Sequence, residues 1–280
     1  MKEKEKNKEK SSSLMKFLKK NFLFLYKFLY NIGFDARTFI GLRYYLRYLS
    51  ELYKFKKLGG KVSNKHKILT DYDDQAGSAS GHYFYQDLLV AQFIYNNKPN
   101  RHIDIASRVD GFVAHVASFR SIEVIDIRDL DKPKIKNIEF FKKNLMNEST
   151  VDQEITDSIS CLHAIEHFGL GRYGDPIDPV GYSKGYNNII RMLKPDGRLY
   201  ISFPIGKKNE VHFNAHRIFH PKDIFNWSEQ KNILILERFD YVDDFGELHQ
   251  NVNLDKSDLD VTYGCGIYTF KKNKIISNNL

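Results

Sequence analysis

Cysteine is scarce in this chain: two in 280 residues, Cys161 and Cys265. Two thiols cannot supply the framework of bridges that holds small secreted domains, so a reducing cytoplasm is the expected compartment. Cys161 sits in an apolar run, where a buried free thiol is the ordinary outcome. Long hydrophobic runs are missing as well. The longest candidate, Leu14–Ile32, is interrupted by Lys16, Lys19, Lys20 and Lys27, which excludes it as a membrane-spanning helix. The first ten residues alternate lysine with glutamate and no small-residue cleavage site follows an apolar core, so no signal peptide is expected. No internal repeat is present, and no zinc-finger, RNP or P-loop pattern.

Charge is plentiful but unevenly spread. Residues 1–67 hold 18 Lys/Arg against 5 Asp/Glu, and residues 68–280 hold 25 against 30. The basic character therefore belongs to an N-terminal segment. A nucleic-acid-binding core would carry its own positive field, so nucleic acid is not an expected partner. Hydrophobic content of 42% is normal for a globular chain.

Residues 1–13, charged and then serine-rich, read as a disordered tail. Residues 14–67 read as a basic helical extension. In Leu14–Ile32 the four lysines fall in one narrow arc at about 100° per residue, with leucines and phenylalanines around the rest. Such a helix either docks on an anionic membrane surface, giving peripheral attachment at the inner face of the cell membrane, or packs on the domain or a dimer partner. Phe34–Lys57 reads as a second helix ended by Gly59-Gly60.

Residues 68–280 alternate in the manner of an open α/β sheet. Tyr83–Tyr95 reads as a helix stopped before Pro99. His102–Ala106, Ile122–Ile127, Ile138–Phe141, Ser158–His163 and Arg198–Phe203 read as strands one to five. Helices follow strand one, to about Phe119, and precede strand five, at Ser183–Leu193. Ile233–Tyr241 and Gly266–Phe270 read as a closing strand pair.

Three constellations carry chemistry. The first is the turn Asp104–Gly111 with Asp126, 22 residues after Asp104. A Rossmann-type site needs a turn after strand one and an acidic residue about 20 residues on, for ribose hydroxyls. At the G-x-G-x-x-G positions this turn has Ala106, Arg108 and Gly111. Arg108 stands where a dinucleotide pyrophosphate requires glycine, which argues against NAD or FAD. The second is Ser158–His167 with the loop to Pro176, which brings His163, Glu166, His167, Arg172, Tyr173 and Asp175 to the carboxyl end of strand four. His163-Ala164-Ile165-Glu166-His167 also matches the inverted zinc-protease motif, but Gly169, Gly171 and Gly174 leave no room for the helix that motif needs. A zinc hydrolase is the weaker alternative, and no metal site is expected. The third is His212–His220, after strand five, with His216 as a candidate general base and Arg217 as a candidate substrate-binding group. Pro221 ends any helix that could align its histidines on a metal.

The run from Asp104 to Pro204 resembles class I S-adenosylmethionine (SAM)-dependent methyltransferases. The resemblance rests on the first turn, the acid Asp126, the segment Leu162–His167, and Leu193-Lys194-Pro195-Asp196-Gly197-Arg198-Leu199. More closely, Ser80–Phe84, Asp110–His115, Leu170–Pro176 and Asn214–Arg217 resemble a bacterial family known as domain of unknown function 268, which is often associated with surface-polysaccharide genes. The resemblance implies a Rossmann-like class I methyltransferase sheet with helices on both faces. It implies SAM as cofactor and S-adenosylhomocysteine as product. By position, Asp104, Ser107 and Gly111 would line the methionine side, Asp126 the ribose and Asn144 the adenine edge, with Leu162 and His163 flanking. The expected activity is O-methylation of a sugar hydroxyl on a surface glycan or its nucleotide- or lipid-linked precursor. His216, His163 or His167 would act as base, and Arg172, Tyr173, Asp175 and Arg217 would bind substrate. The altered first turn motivates a rival: a SAM-type fold that serves as a binding or assembly partner at the membrane.

Overall fold

The computed structural model describes residues 41–131, 134–228, 232–255 and 259–274. The tail 1–13 and the amphipathic helix 14–32 lie outside the described residues. The chain divides into two compact units, 1–78 and 79–280. Among the described residues no helix is long and apolar enough to cross a membrane.

In the first unit, α1 (Tyr45–Lys57) covers the later part of the expected second helix and ends before Gly59-Gly60. Glu51 accepts from Arg47 Nε at 2.8 Å and from the Tyr72 hydroxyl at 2.6 Å. Asp73 accepts from Arg43 and Tyr44. These exposed pairs order the segment after the helix; each is worth only a few tenths to about 1 kcal/mol.

The second unit is built on an eight-stranded sheet. Its strands are β1 (His102–Ile105), β2 (Ile122–Asp126), β3 (Ile138–Lys142), β4 (Thr156–Leu162), β5 (Leu193–Ile205), β8 (Leu234–Val242), β9 (Leu248–His249) and β10 (Gly264–Lys272). They lie in the order β3-β2-β1-β4-β5-β10-β8-β9. The first five are parallel, and β10 runs antiparallel between β5 and β8. All the expected strands form. In β5 the expected Pro195-Asp196-Gly197 turn survives as a bulge: Leu193 pairs with Thr156 but the next aligned pair is Arg198 with Ser158. A separate hairpin, β6 (Glu210–His212) and β7 (His216–Ile218), was not foreseen.

Alternation along the strands separates two cores. Ile103 and Ile105 of β1, Ile159 and Cys161 of β4, and Leu199, Ile201 and Phe203 of β5 face α4 (Gly181–Met192), through Tyr186, Ile189, Ile190 and Met192. Ile122 and Val124 of β2, Tyr200 of β5, and Cys265 and Ile267 of β10 face the other way. There they meet α2 (His82–Asn97) and α3 (Ala114–Ala117) with the wide turn Val109–Val113 before it. Helices therefore cover both faces, as expected for a Rossmann-like sheet.

On the α2 face β1 presents His102 and Asp104, both fully buried. They are satisfied by the serines of β4. Ser160 Oγ donates to Asp104 Oδ1 at 2.6 Å. Its single proton is then spent, so His102 Nε2 donates to it at 3.1 Å, and His102 Nδ1 accepts from Ser158 Oγ at 2.8 Å. Burial keeps His102 neutral by pushing its pKa down to about 3. Ser107 closes the network from the turn: its N–H reaches Asp104 Oδ2 at 2.9 Å and its hydroxyl reaches Oδ1 at 2.6 Å. Ser107 Oγ in turn accepts from Leu162 N at 3.1 Å.

Burial pushes the Asp104 carboxyl up to about 7, against the donors from Ser107 and Ser160 that favour the ion. The folded state therefore binds a proton that the unfolded state releases near pH 3.8. This contribution is fully present below that value and is lost as pH rises through 7. Asp104→Asn cannot titrate. The difference in unfolding free energy between variant and wild type, from urea melts, is expected to change by roughly 4 kcal/mol between about pH 4 and pH 7. A constant difference would contradict the buried-carboxyl account.

Candidate functional site

In the strand order, β1 is followed in sequence by β2 and β3 on one side and then by β4 on the other. The reversal leaves a crevice at the carboxyl ends of β1 and β4, which is where open α/β sheets bind ligands. A cavity of about 190 Å³ lies there. Ile105 and Ala106 reach it from β1, Ile125, Asp126 and Arg128 from β2, Lys143, Asn144 and Met146 from the segment after β3, and His163, His167 and Phe168 from the segment after β4. Tyr83 of α2, Tyr173 and Asp175 complete the lining.

Two wall residues adopt a backbone that L side chains disfavour: Ala106 at φ 55 and His163 at φ 49, each just past the end of its strand. Ala106 holds the place where a glycine was expected, and takes the left-handed conformation that glycine would adopt with less strain. Strained residues of this kind persist where the surroundings over-determine them, and they concentrate at binding sites.

The wall at β2 is polar and already paired. Arg128 donates to Asp126 through its backbone N at 2.9 Å, through Nε at 3.0 Å and through Nη2 at 2.5 Å. Its guanidinium also lies 4.4 Å over the Tyr173 ring. Arg128 and Tyr173 thus form a bridge across the cavity, from β2 to the loop after β4. A volume near 190 Å³ is below the roughly 300 Å³ of pockets that enclose a drug-sized ligand, so a larger guest requires this bridge to open.

At β4 a single helical turn, Ile165–His167, aims three side chains at one another. His163 Nδ1 lies 2.8 Å from Glu166 Oε1, and His167 Nε2 lies 3.7 Å from the same oxygen. The Glu166 carboxylate fills the space between the histidines that a shared ion would need, and no long helix carries them. The zinc-hydrolase arrangement of these three residues is therefore not formed. Burial would push Glu166 up, but His163 outweighs it and holds the carboxyl below its ordinary range. His167 Nδ1 lies 2.7 Å from the Ala215 carbonyl. A carbonyl only accepts, so Nδ1 carries the proton and Nε2 the lone pair of the neutral ring. Burial lowers the His167 pKa, with Glu166 opposing, so the ring is neutral near pH 7.

Several expected site residues stand elsewhere. Asp104, Ser107 and Leu162 are buried behind the turn, in the network described above, and do not reach the cavity. Gly111 is also absent from the wall and packs closely against α2, where a Cβ would come within 2.8 Å of Asp87 Oδ2 and the Asp87 side chain would have to shift. His216 stacks on His212 at 5.0 Å and on Tyr263 at 5.3 Å, outside the cavity lining. Arg217 is buried, and its guanidinium donates to the carbonyls of Glu166 (3.2 Å), Phe168 (2.7 Å) and Pro179 (3.3 Å). It pins the β4 loop and has no donor directed at a ligand among these contacts. Arg172 is exposed and donates to Ala215 O at 2.8 Å. Asp175 lines the cavity, yet its carboxylate accepts from the backbone N–H groups of Gly169 (2.7 Å), Gly171 (3.1 Å) and Tyr173 (3.2 Å). Gly169 is needed in the same loop: at φ +79, its Cβ would fall 1.9 Å from Asp178 O. Asp126, Asn144, His163, His167 and Tyr173 do line the cavity. Sequence reasoning missed Tyr83, Arg128 and Lys143. Arg128 alone left a signal, as a basic residue two places after the acid.

The sheet order, the antiparallel β10 and the crevice at β1 and β4 define the class: the chain has a Rossmann-like class I methyltransferase fold. Residues 104–269 match the model of the family described as Caenorhabditis protein of unknown function, DUF268, and the chain belongs to that family. No curated protein matches it in sequence. Among solved structures it is similar to 1,6-didemethyltoxoflavin-N1-methyltransferase of Burkholderia thailandensis with bound 1,6-didemethyltoxoflavin and S-adenosylhomocysteine. That match has 12% identity, a TM-score of 0.45, and covers 83% of this chain and 90% of the other. It is also similar to the N-methyltransferase NodS of Bradyrhizobium japonicum in complex with S-adenosylhomocysteine, at 11% identity and a TM-score of 0.44, over 79% of this chain and 98% of that one.

The role of Arg217 is open to test. Arg217→Ala leaves the carbonyls of Glu166, Phe168 and Pro179 without this donor and is expected to destabilise the fold by roughly 3 kcal/mol. Arg217→Lys, which cannot span all three, should restore only part of this in thermal melts. A substrate-binding arginine would instead leave the melting temperature unchanged in both variants.

Proposed function

We propose that the cavity between β1 and β4 binds SAM and that the chain methylates a hydroxyl of a sugar-containing acceptor. The observation that supports this most is the position of Asp126, at the end of β2 and on the cavity wall, where a carboxylate can accept from both ribose hydroxyls. Ile105, Ile125, Ile127 and Leu145 give the same cavity apolar walls that suit an adenine face. Arg108 at the turn matters less for SAM, which brings no pyrophosphate to the backbone there.

When bound, SAM supplies an already activated methyl group, so the work of the protein is alignment and proton removal. His167 suits the base role best of the three candidates. Its Nδ1 proton is fixed on the Ala215 carbonyl and its Nε2 carries the lone pair, whereas His163 Nδ1 is held by Glu166 and its Nε2 is buried, without a hydrogen-bond partner among the described residues. His216 lies off the cavity. Tyr83 and Tyr173 offer rings and hydroxyls of the kind that hold a sugar, and Lys143 and Arg108 offer positive charge for a phosphate on a nucleotide- or lipid-linked precursor. The family resemblance to proteins associated with surface-polysaccharide genes supports the same acceptor class.

A second reading rests on the Arg128–Asp126 pair, which occupies the carboxylate a ribose would use. Under it the fold is a binding or assembly module without transfer chemistry. Calorimetry with S-adenosylhomocysteine separates the two. The enzyme reading expects saturable binding in the micromolar range, weakened roughly 10–100-fold by Asp126→Ala. Folded protein that shows no binding at millimolar ligand would leave only the second reading.

Transfer itself can be followed as S-adenosylhomocysteine release across a panel of nucleotide sugars. His167→Asn is expected to lower turnover by roughly 10²–10⁴-fold while leaving S-adenosylhomocysteine affinity unchanged. Unchanged turnover would remove His167 from the base role.

A further inference from the structure

Next to the cavity, on the side of α2 and β10, three residues distant in sequence converge. One ring nitrogen each from His82 and His163, together with the Cys265 sulfur, all lie within 4.8 Å of one another. His82 opens α2, His163 follows β4, and Cys265 stands near the start of β10. Two imidazoles and a thiol form the donor set that zinc prefers.

The surroundings favour a cation there. His163 Nε2 is buried and has no hydrogen-bond partner among the described residues. His163 Nδ1 is held by Glu166 Oε1 at 2.8 Å, which leaves Nε2 as the ligating atom. Carboxylate, imidazole and metal in that order is the usual support of a zinc-bound histidine. His82, half-buried at the start of α2, brings one ring nitrogen to the same cluster.

We propose that His82, His163 and Cys265 bind a zinc ion, with Glu166 orienting His163. Zinc bonds of about 2.0–2.3 Å put tetrahedral ligands roughly 3.5 Å apart. The cluster must therefore contract by about 1 Å on binding. On binding, the Cys265 thiol, which points to Gln86 Oε1 at 3.6 Å, loses its proton to solvent as sulfur bonds the metal. His163 loses any proton on Nε2 in the same exchange, so affinity rises with pH. Three protein ligands leave a fourth position for water or another oxygen ligand.

The proposal stands apart from methyl transfer, and so does its test. The untagged full chain is analysed for metal by mass spectrometry, then stripped with a chelator and titrated with Co²⁺. About one zinc per chain, or one Co²⁺ with thiolate-to-cobalt absorption in the near ultraviolet, is expected. Cys265→Ser should lose that absorption. Glu166→Gln should weaken Co²⁺ binding roughly 10–100-fold. His249→Gln, at a histidine outside the cluster, should change nothing. Should Cys265→Ser fail to fold by circular dichroism, His82→Gln at the helix start serves instead, with at least a roughly 10-fold loss of Co²⁺ affinity expected. Folded wild type that takes up no stoichiometric metal, or thiolate absorption that persists in Cys265→Ser, overturns the proposal.

Discussion

One buried carboxylate ties the centre of this structure together. Asp104 accepts from Ser160 on the neighbouring strand and from Ser107 on its own turn, and Ser107 then accepts from the last residue of β4. The two strand ends on either side of the topological reversal are thereby held at one spacing. Left unpaired, a carboxylate at this depth would be strongly destabilising. Satisfied, it rigidifies the crevice floor, and the strained backbones of Ala106 and His163 at its rim can persist. The carboxyl that resemblance set against the ligand thus acts from behind the wall.

The same division runs through the rest of the site. Arg217 and Asp175 carry the charges most suggestive of substrate binding, yet the contacts of both are to backbone groups of the β4 loop. A loop rich in glycine has many N–H and C=O groups without secondary-structure partners, and buried polar groups must be paired. Arg217 and Asp175 meet that demand. The polar groups left facing the cavity include Asp126 with Arg128, Arg108, Lys143, Asn144, the two tyrosines, His163 and His167. His163 and His167, four residues apart, meet at Glu166 and both line the cavity, and His163 also reaches the cluster with His82 and Cys265.

Much of the fold was legible because its signals are local. His102-Ile103-Asp104-Ile105 alternates as a strand with one apolar face, Ser158-Ile159-Ser160-Cys161 does the same, and the apolar stripe of α4 matches the Ile and Cys face of the sheet. The acidic end of β2 followed from spacing alone. The hairpin β6–β7 gave no such signal, since each of its strands spans only three residues. Roles within the site were less legible. A sequence places Arg217 at the ligand end of the sheet but does not say which carbonyls lie unpaired beside it. His82 and Cys265 stand 183 residues apart, joined only by the way β10 inserts beside β5, so no spacing pattern could announce their meeting with His163.

The central claim is that this crevice, braced by Asp104 and closed by Arg128 and Tyr173, holds the cofactor. A crystal structure of the chain with S-adenosylhomocysteine tests it most directly. The account predicts the nucleoside between β1 and β4, its ribose on Asp126, Arg128 displaced from that carboxylate, and the sulfur turned toward His167. Nucleoside bound elsewhere, with Arg128 still on Asp126, would contradict it.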